Sequence, residues 1–178
     1  QAINGVVWSA IERFSVQGIQ FVLSFIIARQ LFPSDYGLIA MMTFFMAIAR
    51  SFIDSGFSNA LIQKQDRTQT DYSTVFYFNI MVGCFAYIIL VICAPLIANF
   101  YNQPLLKEII VWVGLNLIIS SFSSVQTAIL TIELNFKKQA IISLVSVIIS
   151  GIVAVYMAYN GYGVWTLVTQ GLISGTIS

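Results

Sequence analysis

The 178-residue chain has no histidine at all, and only 8% of its residues are charged. Without histidine the commonest general base and the commonest metal ligand are both missing. Scarce charge excludes more. Soluble domains carry about 25% charged residues, so this chain cannot clothe a water-facing surface. The formal net charge of +1 offers nothing for nucleic acid to bind. The two cysteines, Cys84 and Cys93, lie nine apart in one apolar run. That spacing gives no disulfide framework and no zinc site, and inert buried thiols are expected. No cofactor or metal is expected, and paired carboxylates at mutual reach are missing, so an enzyme is not indicated.

What the chain does have is apolar length. It is 58% hydrophobic, with a mean hydropathy of +0.89. A span needs about 20 mostly apolar residues. Runs broken by polar clusters predict helices at 6–32, 37–63, 73–100, 106–133 and 138–160, with an incomplete sixth over 164–178. The breaks are "FPSDYG", "QKQDRTQTD", "YNQP", "NFKKQ" and "YNGYG", rich in turn formers. The fold class expected is an all-α, polytopic membrane helical bundle. The first residue is Gln, and the last apolar run has no polar stop, so a fragment of a longer chain is expected.

Lys and Arg set the direction. Lys64, Arg67, Lys137 and Lys138 lie in the even-numbered loops, against Arg29 and Lys107 at the odd ones. The positive-inside rule then places the amino terminus and the even loops in the cytoplasm. Trp8, Tyr36, Tyr72, Tyr101, Tyr159, Tyr162 and Trp165 gather near span ends, as interface anchors do.

Polar residues inside the spans fall into stripes at 100° per residue. The first helix aligns Ser9, Arg13, Gln17, Gln20 and Ser24, with Glu12 at the edge; the second aligns Thr43, Arg50, Asp54 and Ser58. The third offers Tyr72, Asn79, Gly83 and Tyr87, and the fourth Asn116, Ser120, Ser123, Thr127 and Thr131. Hydroxyls and amides in such stripes often only join helices, at about 0.6 kcal/mol each. Ser143, Ser146, Ser150 and Ala154 read as a small-residue packing face of the fifth helix. Charges differ: each costs about 2.5–3.5 kcal/mol at mid-membrane, which makes Arg13, Arg50 and Asp54 candidates for function. Arg50 and Asp54 are one turn apart and can neutralise each other, as a site or as a structural ion pair.

The stretches "ARQLFPSDYGLIAM" (28–41), "DSGFSNALIQK" (54–64), "ELNFKKQA" (133–140) and "GYGVWTLV" (161–168) resemble landmarks of the polysaccharide-transporter branch of the MOP flippase superfamily. That branch exports repeat units of O-antigen, capsule, colanic-acid and teichuronic-acid type. The resemblance implies two pseudo-symmetric lobes around a cavity, of which this chain is the first. It implies a multi-pass protein of the bacterial inner membrane that flips an undecaprenyl-pyrophosphate-linked oligosaccharide to the outer leaflet. Polysaccharide polymerase and glycosyltransferases are the protein partners it suggests, beside the lipid bilayer itself.

Arg50, Asp54 and Gly56 match an Arg, an acidic residue and a Gly in the second helix of this branch and of the related lipid II flippases. The Arg–Asp pair of those flippases' first helix falls here at Leu23 and Ser24, a departure; Glu12 and Arg13 come about three turns earlier. Arg13, Arg50, Asp54, Gln17, Gln20 and Asn79 are thus the expected substrate-binding residues, with Lys137 and Lys138 at the cytoplasmic mouth. The alternative is a cation-coupled multidrug exporter of the same superfamily.

Overall fold

The computed structural model describes residues 2–53, 68–133 and 136–177, with side chains from Glu12 to Ser51 in the first stretch. Among the described residues no strand occurs and six helices form: α1 Ala2–Ala28, α2 Pro33–Ile53, α3 Gln69–Phe100, α4 Leu105–Ile132, α5 Phe136–Tyr159 and α6 Val164–Ile177. Among the described residues, α3, α4 and α5 are long and apolar enough to cross a membrane. The chain is an all-α membrane helical bundle.

Several helices reach into the polar clusters that punctuate the sequence, and the cause is capping. α2 starts at Pro33, not 37. Proline suits the first helical position because that N–H has no helical partner anyway. Asp35, two residues on, accepts the Phe32 N–H through Oδ2 at 3.1 Å. α3 likewise starts at Gln69 instead of 73. Thr68 Oγ1 accepts the Asp71 N–H at 3.3 Å, and Asp71 Oδ2 accepts the Thr68 N–H at 2.8 Å. This reciprocal box satisfies two donors that a helix start leaves orphaned.

The stops are equally specific. After α3, the Asn102 N–H reaches the Asn99 carbonyl and the Gln103 N–H reaches Ala98, at 3.2 and 3.0 Å. After α5, Gly161 and Tyr162 repeat the pattern onto Ala158 and Met157 at 3.1 and 3.2 Å. Both are Schellman caps, which require a left-handed residue just past the helix. Asn102 (φ 53°) and Gly161 (φ 75°) take that conformation, which Asn and Gly tolerate best. Pro95 lies inside α3 without ending it, as is common in membrane helices.

The helices fall into two compact units, residues 1–39 with 130–178 and residues 40–129. In the first unit α1 and α5 run parallel. Glu12 meets Ser143, Leu23 covers Gly151, and Ile27 and Leu31 pack with Ala154 and Ala158. α6 returns antiparallel along α5: the Ser146 hydroxyl donates to the Ser174 carbonyl at 2.8 Å, and Leu167 packs on the Ala154 and Ala158 cluster. Small residues on α5 let both neighbours approach closely, which is how helices associate in lipid. In the second unit α3 and α4 form an antiparallel pair. Asn79 faces Ser124, Gly83 sits against Ser121, and Tyr87 and Leu90 lie over Gly114.

Ser146 and Ser150 are both buried, as the packing face requires. Ser146→Leu should therefore cut the amount of folded protein in the membrane severalfold, by blocking α6 and removing its hydrogen bond. Ser150→Ala should change little, because the Ser150 hydroxyl donates only to the carbonyl of Val147 on its own helix, at 3.3 Å. Quantitative blotting of membrane fractions checks both. Normal abundance with lost export in Ser150→Ala would mean that this residue does more than pack.

Candidate functional site

The first element of the site is the polar stripe of α1. Arg13, Gln17, Gln20 and Ser24 are all exposed, in line along one face. The α5 contacts come from Glu12, Leu23 and Ile27, about a quarter-turn around the helix at 3.6 residues per turn. α1 thus packs with one face and presents an adjoining polar face that α5 leaves uncovered. Glu12 stands at the boundary: half-buried, it accepts the Ser143 hydroxyl through Oε1 at 2.7 Å.

In the other unit, α2 divides in a similar way. Phe45, Ile48 and Ala49 line an apolar groove of about 570 Å³ together with Leu90, Cys93 and Ile97 of α3. Thr43 and Arg50 are exposed and project roughly opposite that groove by helical periodicity. Asp54 and Gly56, expected beside Arg50, lie outside the described residues, as do Lys64 and Arg67. The large cavity in this unit is therefore greasy and faces away from the Arg50 stripe.

Asn79 differs from the expectation of a cavity-lining amide. It is 1% exposed, between α3 and α4, where its Nδ2 donates to Ser124 Oγ at 3.3 Å. A buried amide must find partners, and the facing helix supplies one. Along the α4 stripe only Asn116 is buried, while Ser120, Ser123 and Thr131 are half-buried and Thr127 is exposed. Ser121, Ser123 and Thr127 donate to the carbonyls of Leu117, Ile119 and Ser123 of their own helix, at 2.7, 3.3 and 3.0 Å. Such back-bonding occupies hydroxyls that would otherwise be available to a ligand. Periodicity located the stripe, but it does not distinguish a helix interface from a wet surface.

Lys137 and Lys138 are exposed in the first turn of α5. Among the described residues, two polar atoms that sequence reasoning passed over are buried without a hydrogen-bond partner: Gln139 Oε1 and Thr166 Oγ1. Gln139 sits one turn before Ser143. An amide in a basic cluster at a span end reads as loop, and only burial reveals it. Among the described residues, no group of His, Cys, Asp and Glu could hold a metal ion.

The described residues form a helical membrane bundle with arginine and glutamine exposed along otherwise apolar helices. Residues 26–178 match the family described as polysaccharide biosynthesis protein, and the chain belongs to that family. It is similar to the succinoglycan biosynthesis transport protein ExoT of Rhizobium meliloti (strain 1021), at 24% identity over 98% of this chain and 35% of the relative. Teichuronic acid biosynthesis protein TuaB of Bacillus subtilis (strain 168) is 28% identical over 84% of the chain and 31% of the relative. Lipopolysaccharide biosynthesis protein WzxC of Escherichia coli (strain K12) is 25% identical over 78% and 28%. The chain thus spans about a third of the length of these curated relatives. No solved structure matches.

Proposed function

We propose that this chain is the first lobe of an exporter that flips lipid-linked oligosaccharide repeat units from the cytoplasmic to the outer leaflet of a bacterial inner membrane. The observation that carries the reading is Arg50, an exposed charge on a helix whose other residues from Leu38 onward are apolar except Thr43 and Ser51. A guanidinium there is expensive unless it binds something, and its planar fork matches phosphate oxygens in pairs. Asp54 would hold Arg50 while the site is empty. Arg13, Gln17 and Gln20 offer a second cation and amides for sugar hydroxyls. Lys137 and Lys138 would draw an anionic head group to the cytoplasmic side. The substrate is undecaprenyl-pyrophosphate-linked oligosaccharide, delivered by glycosyltransferases and passed on to a polysaccharide polymerase. The relatives' names support this substrate class, and none of the three named above points to drug export.

The direct test is complementation. Cells lacking their native exporter should regain surface polysaccharide when given the full-length protein, and should otherwise accumulate the lipid-linked repeat. Continued accumulation despite normal membrane insertion would overturn the reading.

Topology can be tested separately. Parallel α1 and α5 require an odd number of crossings between them if both span the membrane. α3 and α4 supply two, which leaves the third to α2. With the amino terminus cytoplasmic, a cysteine at Gln69 should resist an impermeant thiol reagent in intact cells, and one at Asn102 should react. The reverse pattern would put Lys137 and Lys138 on the outside and remove their role at the mouth.

A further inference from the structure

The turn between α3 and α4 holds a cavity of about 380 Å³ that the proposed site does not use. Its polar lining is Asn99 near the end of α3, Asn102 and Gln103 in the turn, and Lys107 in the first turn of α4. Pro95 and Pro104 add apolar ring surface. By helical periodicity Pro95 and Asn99 lie on the side of α3 turned away from Cys93 and Ile97, which line the apolar groove. The two cavities are separate.

Polar side chains in such turns are often spent on capping. After α5, Asn160 Nδ2 donates to the Tyr156 carbonyl at 2.7 Å. After α3 the backbone makes the cap: the N–H groups of Tyr101, Asn102 and Gln103 reach the carbonyls of Ile97, Asn99 and Ala98. Among the described residues, the side chains of Asn99, Asn102, Gln103 and Lys107 make no hydrogen bond or ion pair. Pro95 also has no N–H to give the Val91 carbonyl one turn below it. One cavity thus gathers several uncommitted donors and acceptors.

The residue types select the ligand. Each side-chain amide offers two N–H donors and a carbonyl acceptor, whereas the ammonium only donates. A hydroxyl does both, so a set of amides matches neighbouring hydroxyls in either direction. Phosphate is held by charge-assisted bonds from arginine and lysine. Here a single lysine is followed at once by Glu108, and that local balance does not favour an anion. The volume lies at the low end for small-ligand sites, about 300–1,000 Å³, which suits a short run of sugar units and excludes a folded partner. The proline rings give the apolar face of a sugar something to lie on.

The geometry points to a carbohydrate-binding site at the α3–α4 turn, in which Asn99, Asn102, Gln103 and Lys107 take the hydroxyls of an oligosaccharide. On the topology proposed above this turn faces outside, and there the site receives the sugar part of the repeat as it is delivered. That use rests on the export reading; the binding does not.

Two measurements test this. The first is saturation-transfer NMR on the purified full-length protein in lipid nanodiscs. The probe is short, lipid-free oligosaccharide cut from the host cell's own surface polysaccharide. Wild type should give sugar signals, and Asn99→Ala with Gln103→Ala should weaken binding about tenfold, as the loss of two or more hydrogen bonds does. Asn102→Gly, which keeps the left-handed turn, should weaken it severalfold, and Lys107→Gln should retain most of it. No sugar signal in wild type, or undiminished signal in the Asn99→Ala with Gln103→Ala variant, would overturn the site. Loss of binding in Lys107→Gln alone, with displacement by inorganic phosphate, would make it an anion site and overturn the ligand class.

The second uses inside-out vesicles from cells that make the lipid-linked repeat, and follows sugar that becomes protected from impermeant periodate. Asn99→Ala with Gln103→Ala should slow protection severalfold at equal protein. Wild-type rates in a variant that has lost sugar binding would overturn the use in export while leaving the export reading intact. If wild type does not flip at all, the export reading fails and the use with it, while the NMR binding still decides the site.

Discussion

Arg50→Ala is expected to abolish polysaccharide export, and the double variant Arg50→Ala with Asp54→Ala is expected to regain abundance without regaining export. Replacing Arg50 alone removes the cation of the proposed pyrophosphate site and, on that proposal, deprives Asp54 of its counter-charge. Breaking a buried ion pair from one side costs about 3–5 kcal/mol, whereas removing both partners is often close to neutral. Arg50 is exposed, so the single variant should fall below that range in stability while still losing function. Arg50→Lys keeps the charge but not the fork. It should lower export with near-normal expression, since an ammonium cannot grip two phosphate oxygens in a plane. The measurement is surface polysaccharide normalised to membrane-inserted protein, in cells lacking the native exporter. Restored export in the double variant would make Arg50 and Asp54 scaffolding.

The largest effect on folding is expected at Gly83. A β-carbon built there would run into Ser121 Oγ and would lie 2.9 Å from Ser121 Cβ and 3.3 Å from the Leu117 carbonyl oxygen. Ser121 is fully buried, and its hydroxyl is committed to that same Leu117 carbonyl at 2.7 Å, so the side chain has little freedom to yield. Gly83→Ala should destabilise the α3–α4 pair by about 1–3 kcal/mol, the usual cost of overpacking. Gly83→Leu should leave almost no folded protein. Ser121→Gly removes both clashing atoms at the expense of about 1 kcal/mol of helix propensity. Combined with Gly83→Ala, it should recover much of the loss, a coupling of the size that touching residues show. Thermal unfolding in detergent, with blotting of membrane fractions, reads all three. Additive losses in the pair would mean that the helices can separate at this point without harm.

How much of the site was legible follows from what each pattern measures. Arg13, Gln17 and Gln20 stood out because a period of 3.6 puts them in line, and all three are exposed. Asn79 fits its stripe equally well, yet it is 1% exposed beside Ser124. Periodicity reports which side chains share a face, not whether lipid, water or another helix covers that face. Glu12 is the converse. On the helical wheel it is only the edge of a stripe, and its hydrogen bond with Ser143, 131 residues away along the chain, shows only in the folded structure.

The sequence alone determined that the protein is a helical membrane protein. With 8% charge and 58% hydrophobic residues a soluble fold has no adequate surface, and in lipid a helix satisfies its own backbone. It also held the family landmarks and the charges of the proposed site. Tertiary structure decided where the helices begin, because the caps at Thr68 with Asp71 and at Phe32 with Asp35 turn apparent loop into first turn. It decided that α1 and α5 run parallel with a carboxylate between them, and that the amide of Asn79 is buried against Ser124. Those outcomes depend on which side chains from distant parts of the chain meet, and nothing in the local residue order specifies that pairing.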